Sequence, residues 1–189
     1  MSLTQYYTAT TLDGFIADPN HSLEWLFTRD QDREGLLNYA EFIAGVGALA
    51  MGSSTYEWII EHEFADKDPS EWKWPYDLPC WVFTSRQLQV VPGADISFVQ
   101  GDVAAVHATM IEAAAGKNVW LVGGGDLVGQ FAEAGLLDEV IVYVAPVTLG
   151  AGAPLLSRRV ELRLEETGRN GDFVAARYSV ARGEVNEHV

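Results

Sequence analysis

The sequence has a single cysteine, few basic residues and no long apolar run, and each shortage excludes a class of protein. One cysteine, Cys80, cannot form an internal disulfide, which fits a reducing compartment and predicts a buried thiol. No window approaches the roughly 18 apolar residues that a membrane-spanning helix needs. The first residues, MSLTQYYTATTLDG, lack the basic stretch and apolar core of an export signal. We therefore expect a cytoplasmic protein with no membrane partner.

Basic side chains are scarce, since 12 Lys and Arg stand against 27 Asp and Glu, a formal net charge of −15. A surface of this sign repels nucleic-acid backbones and anionic membranes, so we expect no nucleic-acid partner. A phosphorylated ligand would have to be held by backbone N–H groups and one or two well-placed arginines. The histidines and the cysteine show no metal-ligand spacing, so no metal site is predicted.

Apolar patterning predicts eight strands and four helices in one domain of residues 1–189. With 48% apolar residues, a chain of this length can bury one substantial core. Short β-type runs occur at 4–10, 47–51, 80–84, 96–99, 118–122, 139–147, 160–167 and 173–181. Helical periodicity occurs at 31–44, 54–62, 103–115 and 126–135. Each helix lies between two strands and none follows residue 138, so we expect a mostly parallel α/β sheet with antiparallel C-terminal strands.

Three consecutive glycines, Gly123, Gly124 and Gly125, follow the strand at 118–122 and precede a helix. In an open α/β sheet ligands bind at the carboxyl ends of strands, and a helix start offers unpaired N–H groups to an anion. Without Cβ atoms, a phosphate can approach the backbone closely. The alternative is a tight strand-to-helix turn that binds nothing. The segment fits neither the G-x-G-x-x-G pattern nor a P-loop.

Two further strand ends carry groups suited to anions. The strand at 47–51 is followed by a helix start of small residues, which are also ordinary N-caps: Gly52, Ser53, Ser54 and Thr55. The strand at 80–84 ends in Thr84, Ser85 and Arg86, where the arginine suits a phosphomonoester or is simply solvated. Together with the glycines, these strand ends predict a site for a pyrophosphate and a nearby phosphate.

The long irregular stretch 63–78, EFADKDPSEWKWPYDL, contains Trp72, Trp74 and Tyr76. It is too long for an ordinary connection, so we predict a flap over a site or a dimer contact. Four further aromatic residues offer either a wall for a flat heterocycle or ordinary core packing: Trp25, Tyr39, Tyr56 and Tyr143. Asp13, in an Asp-Gly pair, is either a turn residue or a group on the substrate side.

Five segments spread over nearly the full length are TTLDGFIAD, MGSSTYE, VFTSR, LVGGGDLVGQFAEAGLLDEV and APVTLGAGAPLL. In this order they resemble the dihydrofolate reductase-like superfamily and, more closely, its branch related to the reductase domain of bacterial riboflavin biosynthesis. The resemblance implies a three-layer α/β/α domain with a mixed eight-stranded sheet, NADPH as cofactor and a homodimer formed through the C-terminal strands. It also implies hydride transfer to a small pteridine- or pyrimidinone-like heterocycle, and a cis peptide between Gly123 and Gly124.

The same resemblance implies cofactor contacts residue by residue. Backbone groups of Ala9 and Ile16 would hold the nicotinamide carboxamide. Ser85 and Arg86 would lie by the adenosine 2′-phosphate. The pyrophosphate would lie between two helix starts, one formed by Gly52, Ser53, Ser54 and Thr55 and the other by Gly123, Gly124, Gly125, Asp126 and Leu127.

Several positions depart from the family pattern. Ser53 stands where the family often has arginine, which leaves Arg86 as the main cation and makes NADH possible. Leu36 stands where dihydrofolate reductases place a carboxylate on the first helix, with Glu34 half a turn away, so dihydrofolate should be a poor substrate. Water, Asp13 or Glu34 would supply the proton. The alternative is a non-catalytic nucleotide-binding or interaction protein that kept the reductase fold.

Overall fold

An eight-stranded sheet forms the centre of the protein, of which the computed structural model describes residues 2–181. The strands are β1 Thr4–Thr11, β2 Phe15–Ala17, β3 Val46–Gly52, β4 Cys80–Phe83, β5 Ile96–Val99, β6 Asn118–Gly123, β7 Glu139–Ala145, β8 Ala153–Pro154, β9 Leu162–Asn170 and β10 Phe173–Val180. The large sheet runs β5-β4-β3-β6-β1-β7-β10-β9, while β2 and β8 form a separate pair. From β5 to β7 neighbouring strands are parallel, and β10 is antiparallel to β7 and β9. This confirms the predicted mixed sheet with antiparallel C-terminal strands.

The helices of the described chain cover both faces of the sheet. They are α1 Glu24–Phe27, α2 Tyr39–Ala44, α3 Ser53–Phe64, α4 Val103–Ala113 and α5 Gly125–Glu133, with a short 3-10 helix at Pro69–Glu71. Because side chains alternate along a strand, Tyr7 and Tyr6 of β1 enter two different cores. The core of Tyr7 includes α3 through Ile59, and the core of Tyr6 includes α4 and α5 through Met110 and Phe131. The result is the expected three-layer α/β/α architecture.

The helix predicted at 31–44 is wrong over its first half. Only α2 is helical there, and Asn38 caps its start by accepting a backbone hydrogen bond at 2.9 Å. Before α2, the buried Asn170 accepts from Asp32 N (2.9 Å) and donates to Leu36 O (3.0 Å). These bonds from the end of β9 occupy backbone groups that a helix would use, so tertiary contacts override the helical periodicity.

The large rings of the aromatic stretch 63–78 pack into the core, which contradicts its interpretation as a flap, whereas the alternative of a dimer contact stays a prediction. Trp74 is only 6% exposed, and its ring lies 5.5 Å from that of Tyr56 on α3. Tyr76 meets Trp120 of β6 edge to face at 5.7 Å. After α3 ends at Phe64, the stretch has no regular secondary structure beyond the 3-10 helix, but burial of its large rings anchors it to the sheet.

All eight predicted strands form, whereas β2 and β8 leave no trace in the sequence pattern. Their three and two residues are too few to show alternation. Cys80 is buried in β4 as predicted, with 1% of its surface exposed. Burial raises the pKa of its thiol to about 12, so it behaves as a small apolar residue rather than a nucleophile.

Candidate functional site

Two helix starts meet at the carboxyl edge of the sheet. β3 and β6 are neighbours, with Met51 opposite Gly123, and α3 and α5 begin directly after them. Their N-cap residues, Gly52 and Gly124, provide no side-chain hydrogen bond, whereas Asp102 caps α4 by accepting a backbone N–H at 2.9 Å. The first N–H groups of α3 and α5 are therefore left without a capping side chain, as an anion-binding edge requires.

Each of the three glycines is required for a different reason. A Cβ on Gly123 would lie 2.9 Å from the side-chain oxygen of Thr55, so the turn packs directly on α3. A Cβ on Gly124 would fill the space between the two helix starts, 4.0 Å from the backbone nitrogen of the α3 N-cap. A Cβ on Gly125 would lie 2.3 Å from the carbonyl oxygen of Pro154. Only Gly124 therefore faces the space between the starts of α3 and α5, which we call the cradle. The other two glycines allow close packing.

The peptide between Gly123 and Gly124 is trans, so the expectation of a cis peptide is wrong. The chain turns at Gly124 instead, through a φ of 97° and a ψ of 93°. Residues with a side chain rarely adopt such a positive φ, so glycine is needed here for conformation as well as for space.

The strand pair β2–β8 borders the glycine turn. Leu155 N donates to Gly14 O (2.8 Å), which ties the chain after β8 to the start of β2. The carbonyl of Pro154 lies against the first residue of α5. Ile16 in β2 and Ala9 in β1 are both half-buried. The structure thus places the element that carries Ile16 beside the head of α5.

Asp13 holds two loops together. Its carboxylate accepts from the Thr11 hydroxyl (2.5 Å), Leu149 N (3.0 Å) and Gly150 N (2.7 Å). The bond from Thr11, followed by those from Gly150 and Leu149, holds the pKa of this exposed carboxyl below its ordinary value. An ionised group whose oxygens are already occupied is a poor proton donor, so these contacts favour a structural role for Asp13 over the predicted catalytic one.

Glu34 and Leu36 lie in the irregular stretch before α2, so the helix position on which both assignments rested does not exist. The side chain of Glu34 is exposed, and its backbone nitrogen donates to Asp32 Oδ1 (3.0 Å). Leu36 is half-buried, and its carbonyl oxygen accepts from the Tyr143 hydroxyl (3.0 Å). The structure therefore removes the helical argument for Glu34 as a proton donor and for Leu36 as the counterpart of a substrate-binding carboxylate.

Arg86 reaches from the end of β4 to the start of α3. Its guanidinium donates to both carboxylate oxygens of Glu57, at 2.9 and 2.6 Å, and to the hydroxyl of Ser53 at 3.0 Å. The arginine side chain is 55% exposed and that of Glu57 38%. The structure thus joins Arg86 and Ser53, as the predicted site requires. It also adds the carboxylate of Glu57, which sequence patterns do not reveal because the two partners lie 29 residues apart.

The predicted aromatic wall is largely core. Tyr56 is 1% exposed and donates to Gln89 O (2.6 Å), and Tyr143 is 2% exposed with its hydroxyl on the backbone before α2. Both sit on the inner side of their element, so the wall assignment is wrong for them. Trp25 is 8% exposed and packs in the same core. Tyr39 alone of the four keeps an open face, at 42% exposure.

An exposed stack of rings lies further along α3. His62 stacks on Trp58 (4.6 Å between centroids, 14° between planes) and on Phe27 of α1 (5.5 Å, 11°). Phe27 is 59% exposed. Ser54, Trp58 and His62 follow at intervals of four, so the stack lies on the same stripe of α3 as the glycine-led helix start. This spacing is the sequence signal that could have predicted the stack.

Arg158 is a second cation near the site that no sequence pattern marks. It donates to Asp126 O (2.9 Å), and its guanidinium lies 3.3 Å from the Asp126 carboxylate and 3.1 Å from that of Glu133. Arg158 thereby offsets part of the negative charge that Asp126 places in the first turn of α5.

The model of the RibD C-terminal domain family matches residues 4–171. The chain belongs to this family. A Bacillus subtilis relative, the uncharacterized protein YwjB, is 33% identical over 181 residues, which cover 93% of this chain and 96% of YwjB. Within the described residues, no helix of this family member is long and apolar enough to cross a membrane, and no three His, Cys, Asp or Glu side chains come together as metal ligands.

Solved structures share the fold of this RibD C-terminal domain protein. A Shewanella sp. PV-4 protein, provisionally named for riboflavin biosynthesis, superposes with a TM-score of 0.77 at 22% identity, covering 95% of this chain and 99% of its own. Dihydrofolate reductase from Enterococcus faecalis, complexed with NADP(H) and RAB-propyl, has a TM-score of 0.55 at 13% identity, with 94% and 96% covered. Family and fold therefore relate the chain to reductases of the RibD and dihydrofolate reductase type.

Proposed function

We propose that the protein is an NAD(P)H-dependent reductase that transfers a hydride to a small heterocyclic substrate. The observation that carries the proposal is the meeting of two helix starts without capping side chains at Gly52 and Gly124. Two phosphates of a dinucleotide can each accept from one of these starts, and no Cβ at Gly124 obstructs them. The net charge of −15 makes this local arrangement of donors the more necessary.

Residues on both sides of the two helix starts could hold the two ends of the dinucleotide. Towards β1, backbone groups of Ala9 and Ile16 would hold the nicotinamide end, beside the glycine turn. Towards β4, Ser85 and Arg86 would lie by the adenosine end. When bound, the dinucleotide supplies the hydride, and the protein aligns it with the substrate and excludes water. Since Asp13 is occupied, we propose that water supplies the proton.

Exposed rings support a flat substrate. Tyr39 presents an open face, and the stack of Phe27, Trp58 and His62 follows the helix start along α3. Aromatic faces bind planar heterocycles by stacking. Because the chain belongs to the RibD C-terminal domain family, we propose a pyrimidinone-like substrate and expect dihydrofolate to be turned over poorly.

The test is to titrate the protein with NADPH and with NADH by fluorescence, and then to follow cofactor oxidation with pterins, pyrimidinones and quinones. We expect binding of a reduced dinucleotide and oxidation with at least one pyrimidinone. Binding without oxidation across the panel would favour the alternative of a non-catalytic nucleotide-binding protein. Failure to bind either dinucleotide would refute the proposal.

We also propose that the protein forms a homodimer through its C-terminal strands. Val174 of β10 and Leu164 of β9 are 54% and 53% exposed, and Tyr178 pairs with Leu164 on the same face. Beside them a groove of about 260 Å³ is lined mainly by apolar residues, among them Val142 and Val144. Light scattering at micromolar concentration should give twice the mass of the 20.7 kDa chain. Val174→Asp should give a monomer, and Val90→Asp, a control at an equally exposed site elsewhere, should not.

A further inference from the structure

We infer that Glu57, by pairing with Arg86, suppresses the preference of the site for a 2′-phosphorylated dinucleotide. The inference rests on the proposed function, because it concerns the adenosine end of the dinucleotide. It assigns a role in coenzyme selection to a carboxylate that otherwise looks like half of an ordinary surface ion pair.

The position of the pair follows from the order of the strands. At the carboxyl edge β4, β3, β6 and β1 lie side by side. If the two phosphates occupy the helix starts after β3 and β6 and the nicotinamide end lies at β1, the adenosine end extends to β4. The chain leaving β4 carries Arg86, and its guanidinium contacts Ser53, the first residue of α3. A group on the 2′ carbon of the adenosine ribose therefore comes within the reach of this ion pair.

The arrangement of charge discriminates between the two possible 2′ groups. Both terminal nitrogens of Arg86 are already bonded to Glu57, in a bidentate pair. A 2′-phosphate must share the guanidinium with this carboxylate or displace it, and in either case the carboxylate stays beside the phosphate as a like charge. A 2′-hydroxyl needs no displacement, because it can donate to Glu57 directly.

Arg86 is the cation that bonds to both Glu57 and Ser53 at this place. The pair is half exposed, so water and salt moderate its strength. An exposed charge interaction of this kind corresponds to a change in selectivity of up to about fivefold rather than a complete switch. We therefore expect the natural protein to bind NADPH and NADH within about tenfold of each other.

The experiment measures dissociation constants for NADPH and NADH by fluorescence in the natural protein and in three variants. Glu57→Gln keeps the shape of the side chain and removes its charge, and it should raise the preference for NADPH about fivefold. Arg86→Gln should lower that preference below the natural value. Glu61→Gln removes the same charge from an exposed position on the same helix and should leave the ratio within about twofold.

A second readout needs neither nicotinamide nor catalysis. Calorimetric titration with adenosine 2′,5′-bisphosphate and with AMP should show the same shift in Glu57→Gln, and unfolding midpoints should show that every variant folds. Binding of both dinucleotides with an unchanged ratio in Glu57→Gln would overturn this inference and leave the proposed function standing. Binding of neither would overturn the proposed function and this inference together.

Discussion

At the amino ends of the parallel strands, side chains take up the backbone groups that the sheet leaves unpaired. Leu3 N donates to Asn118 Oδ1 (2.9 Å), and Thr4 N donates to Asp138 Oδ2 (2.8 Å). His107 completes this edge through the hydroxyl of Thr4, at 2.8 Å. At the carboxyl ends, by contrast, α3 and α5 begin at glycines that offer no side-chain bond.

This difference between the two edges indicates that the amino edge contributes to stability and the carboxyl edge to ligand binding. Donors that are satisfied internally hold the amino edge together and leave nothing for a ligand. Donors at the heads of α3 and α5 lack that internal partner, so a ligand's oxygens can replace water there. Changes at the amino edge should therefore alter stability alone, and changes at the carboxyl edge should alter binding most.

The largest effect on NADPH binding is expected when a capping side chain is added to the start of α3. Gly52→Asp places a carboxylate where the extended backbone allows one and where a Cβ meets no atom within 4 Å. It should cap α3 as Asp102 caps α4, stabilise the free protein by a few tenths of a kcal/mol, and weaken NADPH binding at least about 100-fold. Gly52→Asn, which caps without charge, should lose less affinity. Thermal unfolding and fluorescence titration measure both quantities, and undiminished affinity in the aspartate variant would contradict the site.

Filling the cradle should have the next largest effect. Gly124→Ala adds a methyl group between the two helix starts, and we expect NADPH to bind about 30-fold more weakly. The matched control is Gly101→Ala, because Gly101 also has a positive φ (104°) and precedes a helix, but a Cβ there meets nothing within 4 Å. Both variants should lose about 1 kcal/mol of stability from backbone strain. Equal dinucleotide affinity in the two variants would count against the cradle.

Removing a side-chain hydrogen bond at the amino edge should lower stability and leave dinucleotide binding unchanged. Asn118→Ala removes the partner of Leu3 N and of the amide oxygen of Gln5, so the free energy of unfolding should fall by about 2 kcal/mol. Dinucleotide affinity should stay within about twofold, since no contact of the site changes. Urea unfolding measures the first and fluorescence the second. Asn20→Ala, at an exposed turn, is the control that should change neither.

The smallest effect concerns pH at the amino edge. Burial lowers the pKa of His107 from its ordinary 6.5, against an opposing influence of Asp138. Since the folded state disfavours the charged imidazole, the contribution of His107 to stability is complete above pH 6.5 and is lost as pH falls through its folded pKa. Urea midpoints between pH 7.5 and 5.5 should fall less steeply in His107→Gln. An unaltered slope in His107→Gln would show that Thr4 does not hold a neutral ring.

Features that depend on residues close together in the chain were predictable from the sequence, and features that depend on distant residues were not. The eight strands of the large sheet were predictable because buried strands show apolar runs within a few residues. The heads of α3 and α5 were predictable because strand, glycine and helix are contiguous at Gly52 and Gly124. The helix predicted at 31–44 was wrong in its first half because Asn170, from the other end of the chain, takes its backbone groups.

Assignments for single side chains fared worse, because their partners are distant. The backbone of Leu149 reaches Asp13 from 136 residues away, and the partner of Arg86 lies on α3. The core position of Tyr56 depends on which side of α3 faces the sheet. A wall of aromatic rings and a core of aromatic rings have the same composition, so the sequence left both interpretations open.

The sequence by itself determined the strand order along the chain, the glycine-led helix starts and the shortage of positive charge. These features depend on neighbouring residues or on composition, which folding does not change. Only the tertiary structure decided that Gly125 is a packing residue, that Asp13 is a clamp and that Glu57 holds Arg86. Each of these roles belongs to a pair of atoms far apart in the chain, and such pairs exist only once the sheet has brought them together.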